Sequence, residues 1–255
     1  MATILVMRQA LVTGGGRGIG LATCRRLLAA GYEVAAISRS ADDLAVATAQ
    51  IGSTCFHSCA VDVRDVDAVR AVVAAAAGRG PLRAAVLAHG VYPDPLRVAD
   101  TDRDAFAEVT SINLTGAFVV AREVVRAMSG GGVLVLVGSA NGYAAEVGQV
   151  AYNASKAAVH SLVQSIAVDH ARDGIRAVGV APGWVRTRMT EGSITPEMES
   201  GAVRYNAQAR VAEPDEIAAL IAWLCSDDAS FLTGSTVTAD GGQLAEAPGP
   251  WVGPA

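Results

Sequence analysis

Short runs of apolar residues alternate along the chain with longer, helix-like segments. Continuous Val, Ile, Leu and Ala runs are typical of strands that are buried on both faces of a parallel sheet. The predicted strands lie near residues 9–13, 33–38, 55–61, 84–88, 133–137, 175–180 and 235–239. The predicted helices lie near residues 18–30, 42–51, 65–78, 101–128, 151–172 and 214–226.

The regular alternation of these elements predicts the fold class. Successive strand–helix–strand units with right-handed crossovers give an open parallel sheet with helices on both faces. We therefore expect an α/β protein with one doubly wound domain and a seven-stranded parallel sheet. The polar, irregular segment 186–213 interrupts the last unit. The Pro- and Gly-rich segment 245–255 is expected to be a flexible tail.

Composition narrows the classes of partner. The chain has 255 residues, 51% of them hydrophobic, and a formal net charge of −5. It contains no block of basic residues, so neither nucleic acid nor an anionic membrane surface is an expected partner. No uninterrupted apolar run reaches the roughly 18 residues that a membrane-spanning helix requires.

The N-terminal segment MATILVMRQALV is apolar, but Arg8 interrupts it and a glycine turn follows. We interpret it as the first strand and not as a secretion signal. Without a signal, cysteines in apolar surroundings favour a reducing cytoplasm. The chain has four of them: Cys24, Cys55, Cys59 and Cys225.

The segment CFHSC places Cys55, His57 and Cys59 on one face of a predicted strand, because side chains alternate along a strand. Their spacing matches no common zinc pattern, so no metal site is predicted. We expect these residues to fill a buried strand face; a metal site is the alternative.

The first strand ends in the glycine-rich stretch TGGGRGIG, Thr13 to Gly20, and a helix follows. Glycines let the backbone turn sharply and approach a pyrophosphate, while the helix N-terminus offers N–H groups to the anion. An ordinary strand–helix turn is the alternative. The position at the end of the first strand of a βαβ series favours nucleotide binding.

The loop spacing Thr-Gly-x-x-x-Gly-x-Gly and the motifs that follow resemble the classical short-chain dehydrogenase/reductase family, and within it ketoreductases like the 3-oxoacyl-carrier-protein reductases. The later motifs, in order, are Asp62, Asn113, Ser139, Tyr152-x-x-x-Lys156, PGWVRT at 182–187 and TGSTVTADGG at 233–242. The resemblance covers about residues 9–242. It implies a Rossmann-fold domain over residues 1–244, with 186–213 as a mobile lid, and hydride transfer between a nicotinamide cofactor and a carbonyl or secondary alcohol.

The resemblance also implies a set of cofactor-binding residues that are distributed over the whole domain. The cofactor-binding residues are Gly14, Arg17, Gly18, Ile19, Gly20, Ser38, Arg39, Asp62, Val63, Ala88, Gly90, Tyr152, Lys156, Pro182, Gly183, Val185 and Thr187.

Members of the family commonly form tetramers, so the resemblance implies a homotetramer or homodimer through helices 101–128 and 151–172. The alanine-rich faces of these helices do not decide the matter, because a monomer would show the same faces.

The end of the second strand bears on the choice of cofactor. An acidic residue there would bind the ribose hydroxyl of NAD, but this chain has Ser38 followed by Arg39. Arg17 adds a second cation, and guanidinium groups match phosphate geometry. We therefore expect NADPH/NADP+, with NADH/NAD+ as the less favoured alternative. Asp62 resembles the aspartate that binds the adenine amino group; a cap for the helix starting near Asp65 is the alternative.

Tyr152 and Lys156 are four positions apart, so a helix places both side chains on one face. A tyrosine hydroxyl has a pKa of about 10, and a nearby cation would lower it toward the useful range for acid–base catalysis. Lys156 is the only lysine in the chain. The resemblance implies that it also holds the nicotinamide ribose, which a compact ammonium can do and a planar guanidinium does poorly.

Ser139 ends the fifth predicted strand, at the sheet edge where ligands bind in open α/β folds. The resemblance implies that it hydrogen-bonds the substrate carbonyl. Asn113 lies mid-helix, where asparagine is a mediocre helix former; its counterpart in the family distorts the helix and holds a water leading to the lysine. Taken singly, Ser139 is more simply interpreted as a helix cap and Asn113 as a surface residue. Together with Tyr152 and Lys156, these residues form the expected catalytic set.

The chain departs from the family pattern at the end of the fourth strand. Where the family has Asn-Asn-Ala-Gly, this chain has Leu87-Ala-His-Gly90. The asparagine that normally ties the central sheet together is absent, so that support must come from elsewhere. We expect His89 to be half-buried and satisfied by the backbone; a polar group near the ribose is the alternative.

Substrate recognition is expected in residues 142–150, Trp184 and the segment 186–213. Trp184 follows Pro-Gly beside the nicotinamide position and is a candidate aromatic wall. Glu146 and Gln149 are polar candidates that face a bound ketone, and simple loop solvation is the alternative.

The residues favour an NADPH-dependent reductase of a small-molecule ketone, including a thioester-linked one. An NAD-dependent alcohol or sugar dehydrogenase is the first alternative. A non-catalytic NADP(H)-binding regulator is the second, although a pure sensor has no need of Tyr152 and Ser139.

Overall fold

A seven-stranded parallel sheet forms the centre of the protein, whose computed structural model describes residues 7–199 and 205–245. The strands stand in the order β3-β2-β1-β4-β5-β6-β7. The order reverses between β1 and β4, which opens a crevice at their carboxyl ends. The predicted α/β, doubly wound fold is confirmed. The strand bounds are β1 Arg8–Thr13, β2 Tyr32–Ser38, β3 Phe56–Ala60, β4 Leu82–Leu87, β5 Gly132–Val137, β6 Ile175–Pro182 and β7 Thr236–Ala239.

Helices cover both faces of this sheet and bury two separate apolar layers. One layer packs against α1, α2 and α8, and the other against α3, α5 and α6. Among the described residues, no helix is long and apolar enough to cross a membrane. The helix bounds are α1 Gly18–Ala29, α2 Ala41–Ile51, α3 Val66–Arg79, α4 Arg103–Thr110, α5 Gly116–Ala127, α6 Val150–His170, α7 Pro196–Glu199 and α8 Pro214–Leu224.

The helix predicted at 101–128 is not continuous. A π-helical turn, Ser111–Thr115, separates α4 from α5. The distortion centres on Asn113, as the family resemblance implied. The segment 186–213 contains the short helix α7. Of that segment, residues 200–204 lie outside the described residues, as do residues 246–255 of the predicted tail.

The interpretation of CFHSC as filler for a buried strand face is wrong. Strand β3 is at the edge of the sheet, Cys59 is exposed, and His57 is partly exposed with its Nε2 2.5 Å from a carboxylate oxygen of Glu33. Only Phe56 of this strand is buried. The described residues contain no group of three or more His, Cys, Asp or Glu side chains that could hold a metal ion.

Candidate active site

A cleft of about 500 Å³ opens at the carboxyl ends of the central strands. The loops after β1, β2, β3, β4, β5 and β6 line it, as expected at the point where strand order reverses. All of the predicted cofactor-binding residues line this cleft, and so do Ser139, Tyr152 and Lys156 of the expected catalytic set. The predicted cofactor-binding residues that line the cleft are Gly14, Arg17, Gly18, Ile19, Gly20, Ser38, Arg39, Asp62, Val63, Ala88, Gly90, Tyr152, Lys156, Pro182, Gly183, Val185 and Thr187.

The glycine loop brings bare backbone to the floor of the cleft. Gly14 has a φ of 69°, and a Cβ there would lie 2.9 Å from the carbonyl oxygen of Ala88. Helix α1 begins at Gly18, has no acidic residue in its first turn and has no side-chain cap at Arg17. Its first N–H groups and the positive end of its dipole therefore suit a pyrophosphate.

Three arginine side chains are among the residues that line the cleft. Arg39 is exposed at the end of β2, and Arg17 and Arg188 line the same cleft. The carboxylate of Asp43 lies 3.3 Å from Nη1 of Arg17 and 3.6 Å from Nη1 of Arg188. Sequence reasoning found Arg17 and Arg39 but missed Asp43 and Arg188. Asp43 lies in the first turn of the helix after β2, and Arg188 follows the predicted Thr187, so proximity to known motif residues could have indicated both.

Asp62 is fixed by its neighbour Arg64. The guanidinium Nε and Nη2 of Arg64 lie 3.0 and 2.6 Å from the two carboxylate oxygens, and this pairing lowers the pKa of Asp62 to about 2. Asp62 does not cap the following helix: Asp65 does, by accepting hydrogen bonds from the backbone N–H groups of Asp67 and Ala68.

Tyr152 and Lys156 lie on one face of α6, and both are more than nine-tenths buried. The Lys156 ammonium donates to the carbonyl of Val137 at 2.9 Å and lies 5.6 Å from the Tyr152 ring centroid. Burial lowers the pKa of Lys156 to about 8. The lysine therefore titrates much closer to neutrality than an exposed one.

The expectation that Lys156 lowers the pKa of Tyr152 is wrong for this structure. Burial raises the pKa of Tyr152 to about 12; a hydrogen bond from Ser139 opposes the rise, and the charge of Glu146 adds to it. Desolvation of the phenolate therefore outweighs its stabilisation by neighbours. At neutral pH Tyr152 holds its proton.

Ser139 is the second residue after β5 and forms a side-chain hydrogen bond with Tyr152. Its Oγ accepts a hydrogen bond from the backbone N–H of Asn141 at 3.1 Å, which caps the short turn Ala140–Gly142. The cap interpretation and a role at Tyr152 are thus compatible, because a hydroxyl can accept one hydrogen bond and donate another.

Asn113 is buried behind the cleft and does not line it. Its side chain forms two hydrogen bonds with the backbone of Val91: Oδ1 accepts from N–H at 2.8 Å, and Nδ2 donates to the carbonyl at 3.0 Å. Nδ2 also donates to Ser155 Oγ at 3.2 Å. Asn113 therefore joins the distorted helix to the loop after β4 and to α6.

His89 and Thr13 supply the support that the missing asparagines leave open. The Oγ1 of Thr13 accepts from the backbone N–H groups of Ala88 and His89 and lies 2.6 Å from the imidazole Nδ1 of His89. His89 is half-buried, as expected, but its partner is this threonine hydroxyl. Burial, with the charge of Lys156, lowers its pKa to about 4, so the ring is neutral at pH 7.

None of the three substrate candidates lines the cleft. Gln149 is 2% exposed and donates to the carbonyl of Pro93, so it does not face the cleft. Trp184 is half-buried between two lining residues. Glu146 accepts hydrogen bonds from the hydroxyl of Tyr92 at 2.8 Å and from Nδ2 of Asn141 at 2.7 Å.

Comparisons with known proteins agree with this arrangement. A family model described as enoyl-(acyl carrier protein) reductase matches residues 14–243. The 3-oxoacyl-[acyl-carrier-protein] reductase MabA of Mycobacterium tuberculosis is 36% identical over 240 residues, with 93% of each chain covered. Galactitol 2-dehydrogenase (L-tagatose-forming) of Cereibacter sphaeroides is 36% identical over 240 residues, which cover 91% of this chain and 93% of that one. A short-chain type dehydrogenase/reductase from Mycobacterium ulcerans superimposes with a TM-score of 0.87 at 29% identity, covering 93% of this chain and 90% of that chain. The chain belongs to the short-chain dehydrogenase/reductase family of oxidoreductases.

Proposed function

We propose that the protein reduces the carbonyl group of a small molecule with NADPH. One observation carries the proposal: Ser139, Tyr152 and Lys156 line the same cleft as the glycine loop. The cleft suits a dinucleotide because the N-terminus of α1 lies at it, with no acidic residue in the first turn and no side-chain cap. Glycine is required at position 14 because a Cβ there would lie 2.9 Å from the carbonyl oxygen of Ala88, in the loop after β4.

In the proposed reaction the protein moves a proton and orients the substrate, and a bound nicotinamide supplies the hydride. Tyr152, which is protonated at neutral pH, donates its proton to the carbonyl oxygen. Ser139 orients that oxygen beside Tyr152. Lys156, with a pKa of about 8, returns a proton to the phenolate. Two of its three donors remain for ribose hydroxyls, since one binds Val137.

The preference for NADPH is supported by the charge around the ribose region. Arg39 and Arg17 both line the cleft and could pair with a phosphate on the adenosine ribose, and no acidic side chain follows β2 directly. Arg39→Ala should raise the KM for NADPH by roughly tenfold or more, because a charge-assisted hydrogen bond is worth about 1.5–3 kcal/mol. The KM for NADH should change little.

The assay follows oxidation of NADPH and NADH with a panel of ketones. Arg103→Ala is a matched control, because Arg103 is 93% exposed and remote from the cleft. Equal effects of Arg39→Ala on both cofactors would contradict the assignment. Tight NADPH binding without turnover of any ketone or alcohol would favour the regulator.

One observation favours an NAD-linked alcohol or sugar dehydrogenase as the second candidate. Asp43 pairs with both Arg17 and Arg188, which reduces the positive charge available to a ribose phosphate. The similarity to galactitol 2-dehydrogenase supports the same candidate. Oxidation of polyols with NAD, measured beside ketone reduction with NADPH, separates the two.

We also infer assembly into a homodimer or homotetramer through α4, α5 and α6. Phe106 on α4 is 36% exposed, Phe118 on α5 is 47% exposed and Val168 on α6 is 81% exposed. Burial of such side chains favours association. Light scattering of the wild type and of Phe118→Glu tests the inference; a monomeric wild type would contradict it.

A further inference from the structure

A carboxylate that does not itself line the cleft is connected through Tyr92 to Tyr152 and through Asn141 to the turn after Ser139. Glu146 accepts from the hydroxyl of Tyr92 at 2.8 Å, and the ring of Tyr92 packs edge-on against that of Tyr152 with centroids 4.9 Å apart. The second carboxylate oxygen accepts from Asn141, two residues after Ser139. Glu146 is thus connected to both sides of the proposed reaction centre.

The backbone of Glu146 is also held in place. Asn153, which follows Tyr152 on α6, donates from Nδ2 to the carbonyl of Glu146 at 2.9 Å and accepts from its N–H at 3.4 Å. A side chain fixed at both its carboxylate and its backbone is a preorganised group. Its position does not have to be created by a ligand.

The hydrogen bonds to Glu146 leave capacity for a ligand. Each carboxylate oxygen receives one side-chain donor, from Tyr92 and from Asn141. An ionised carboxylate has about four acceptor positions. Glu146 is half-buried, so the charge is partly shielded from water, and its field reaches Tyr152, where it raises the pKa of the phenol.

We propose that Glu146 selects the substrate: it accepts a hydrogen bond from a hydroxyl group next to the reacting carbonyl and rejects ketones that carry a carboxylate there. The proposal rests on the proposed reductase function and adds a substrate class to it, namely neutral hydroxyketones. A carboxylate on the substrate would meet the negative charge of Glu146, whereas a hydroxyl would supply a donor that this oxygen can accept.

Two matched ketone sets test the selection with saturating NADPH at pH 7. Hydroxyacetone, butanone and pyruvate differ only in the group beside the ketone, and methyl acetoacetate carries a neutral methyl ester where acetoacetate carries a carboxylate. We expect kcat/KM to be about tenfold or more higher for the ester than for acetoacetate, and to follow the order hydroxyacetone, butanone, pyruvate. Glu146→Gln should reduce each of these ratios of kcat/KM to within about threefold, mainly by raising kcat/KM for pyruvate and acetoacetate.

The control for charge is Asp67→Asn, which removes one negative charge at a side chain that is 88% exposed on α3. It should leave all ratios unchanged. Tyr92→Phe keeps the ring against Tyr152 but removes one donor to Glu146, so it should keep the discrimination against acids. Equal kcat/KM for ester and acid in the wild type, or unchanged ratios in Glu146→Gln, would overturn the role of Glu146.

A readout without turnover distinguishes failure of this role from failure of the reductase function. Ultraviolet titration of tyrosine ionisation, assigned by comparison with Tyr152→Phe, reports the pKa of Tyr152 directly. Glu146→Gln should lower that pKa, because a nearby negative charge no longer opposes the phenolate. Absence of ketone turnover together with this downward shift would contradict the reductase function alone; no shift would contradict the placement of the Glu146 charge at Tyr152.

Discussion

We predict that Gly138, directly before Ser139, cannot be enlarged while His160 is present. His160 lies one turn after Lys156 on α6, is 8% exposed and stacks on the ring of Tyr143 at 4.4 Å. A Cβ at Gly138 would lie 2.6 Å from Cδ2 of the imidazole and closer still to Nε2. The φ of Gly138 is outside the left-handed region, so an alanine there meets this collision and no backbone strain.

The magnitude follows from the collision. Overpacking a rigid site costs about 1–3 kcal/mol of unfolding free energy. If the turn rather than the imidazole shifts, Ser139 moves with it, and a displacement of about 1 Å in a reacting group can cost about a hundredfold in rate. We therefore expect Gly138→Ala to lose about 1–3 kcal/mol and to lower kcat at least tenfold.

The assay is a double-mutant cycle that combines urea unfolding with kcat for ketone reduction. His160→Ala removes the obstacle, so Gly138→Ala should cost much less in that background, with a favourable coupling energy of about 1–3 kcal/mol. The matched control is Gly78→Ala on α3, where a Cβ meets nothing within 4 Å. Gly78→Ala should be neutral or stabilising. Wild-type stability and activity in Gly138→Ala, or no recovery in the double variant, would refute the reasoning.

Three further predictions concern other buried groups. Lys156→Arg should fold but lose most of its activity, because a wide guanidinium with a high pKa replaces an ammonium of pKa about 8 at Val137; near-normal turnover would contradict this. The folded pKa of His160 is about 4, below the ordinary 6.5, so the unfolded chain binds more protons between these values. Stability should therefore fall as pH drops from about 6.5 to about 4, by at most about 3 kcal/mol for this group, and urea unfolding of His160→Gln should show a smaller fall. Asn113→Ala leaves the partly buried backbone of Val91 without two partners and should cost about 2–4 kcal/mol, measured by urea unfolding; a loss under about 1 kcal/mol would be inconsistent with that role.

The sequence was most informative where a local backbone requirement restricts residue type. The glycine loop and the five central strands were predictable, because close approach demands glycine and strands buried on both faces demand continuous apolar runs. The edge strands β3 and β7 were also located, although neither is buried on both faces. Properties that depend on strand order were not predictable. The segment around Cys59 has the composition of a buried strand, yet it is exposed because β3 is the last strand on its side of the sheet. Likewise, the contacts of Asp43 with Arg17 and Arg188 join the first turn of α2 to the loops after β1 and β6. Proximity to the motifs can mark these residues as candidates, but no spacing along the chain indicates that they pair.

The pKa of Tyr152 shows the same limit within the proposed catalytic set. The four-residue spacing correctly places Lys156 on the same helix face, but its ammonium is bound to Val137, and burial governs the phenol. A group that donates a proton must hold it until the carbonyl oxygen gains negative charge, whereas the reverse reaction requires the phenolate as base. Burial and the charge of Glu146 both stabilise the protonated form. The two influences that sequence spacing does not reveal therefore keep Tyr152 in its protonated form. For the proposed reductase, Glu146→Gln should lower the pH at which alcohol oxidation reaches half of its maximal rate, because the pKa of Tyr152 falls; an unchanged pH profile would contradict this.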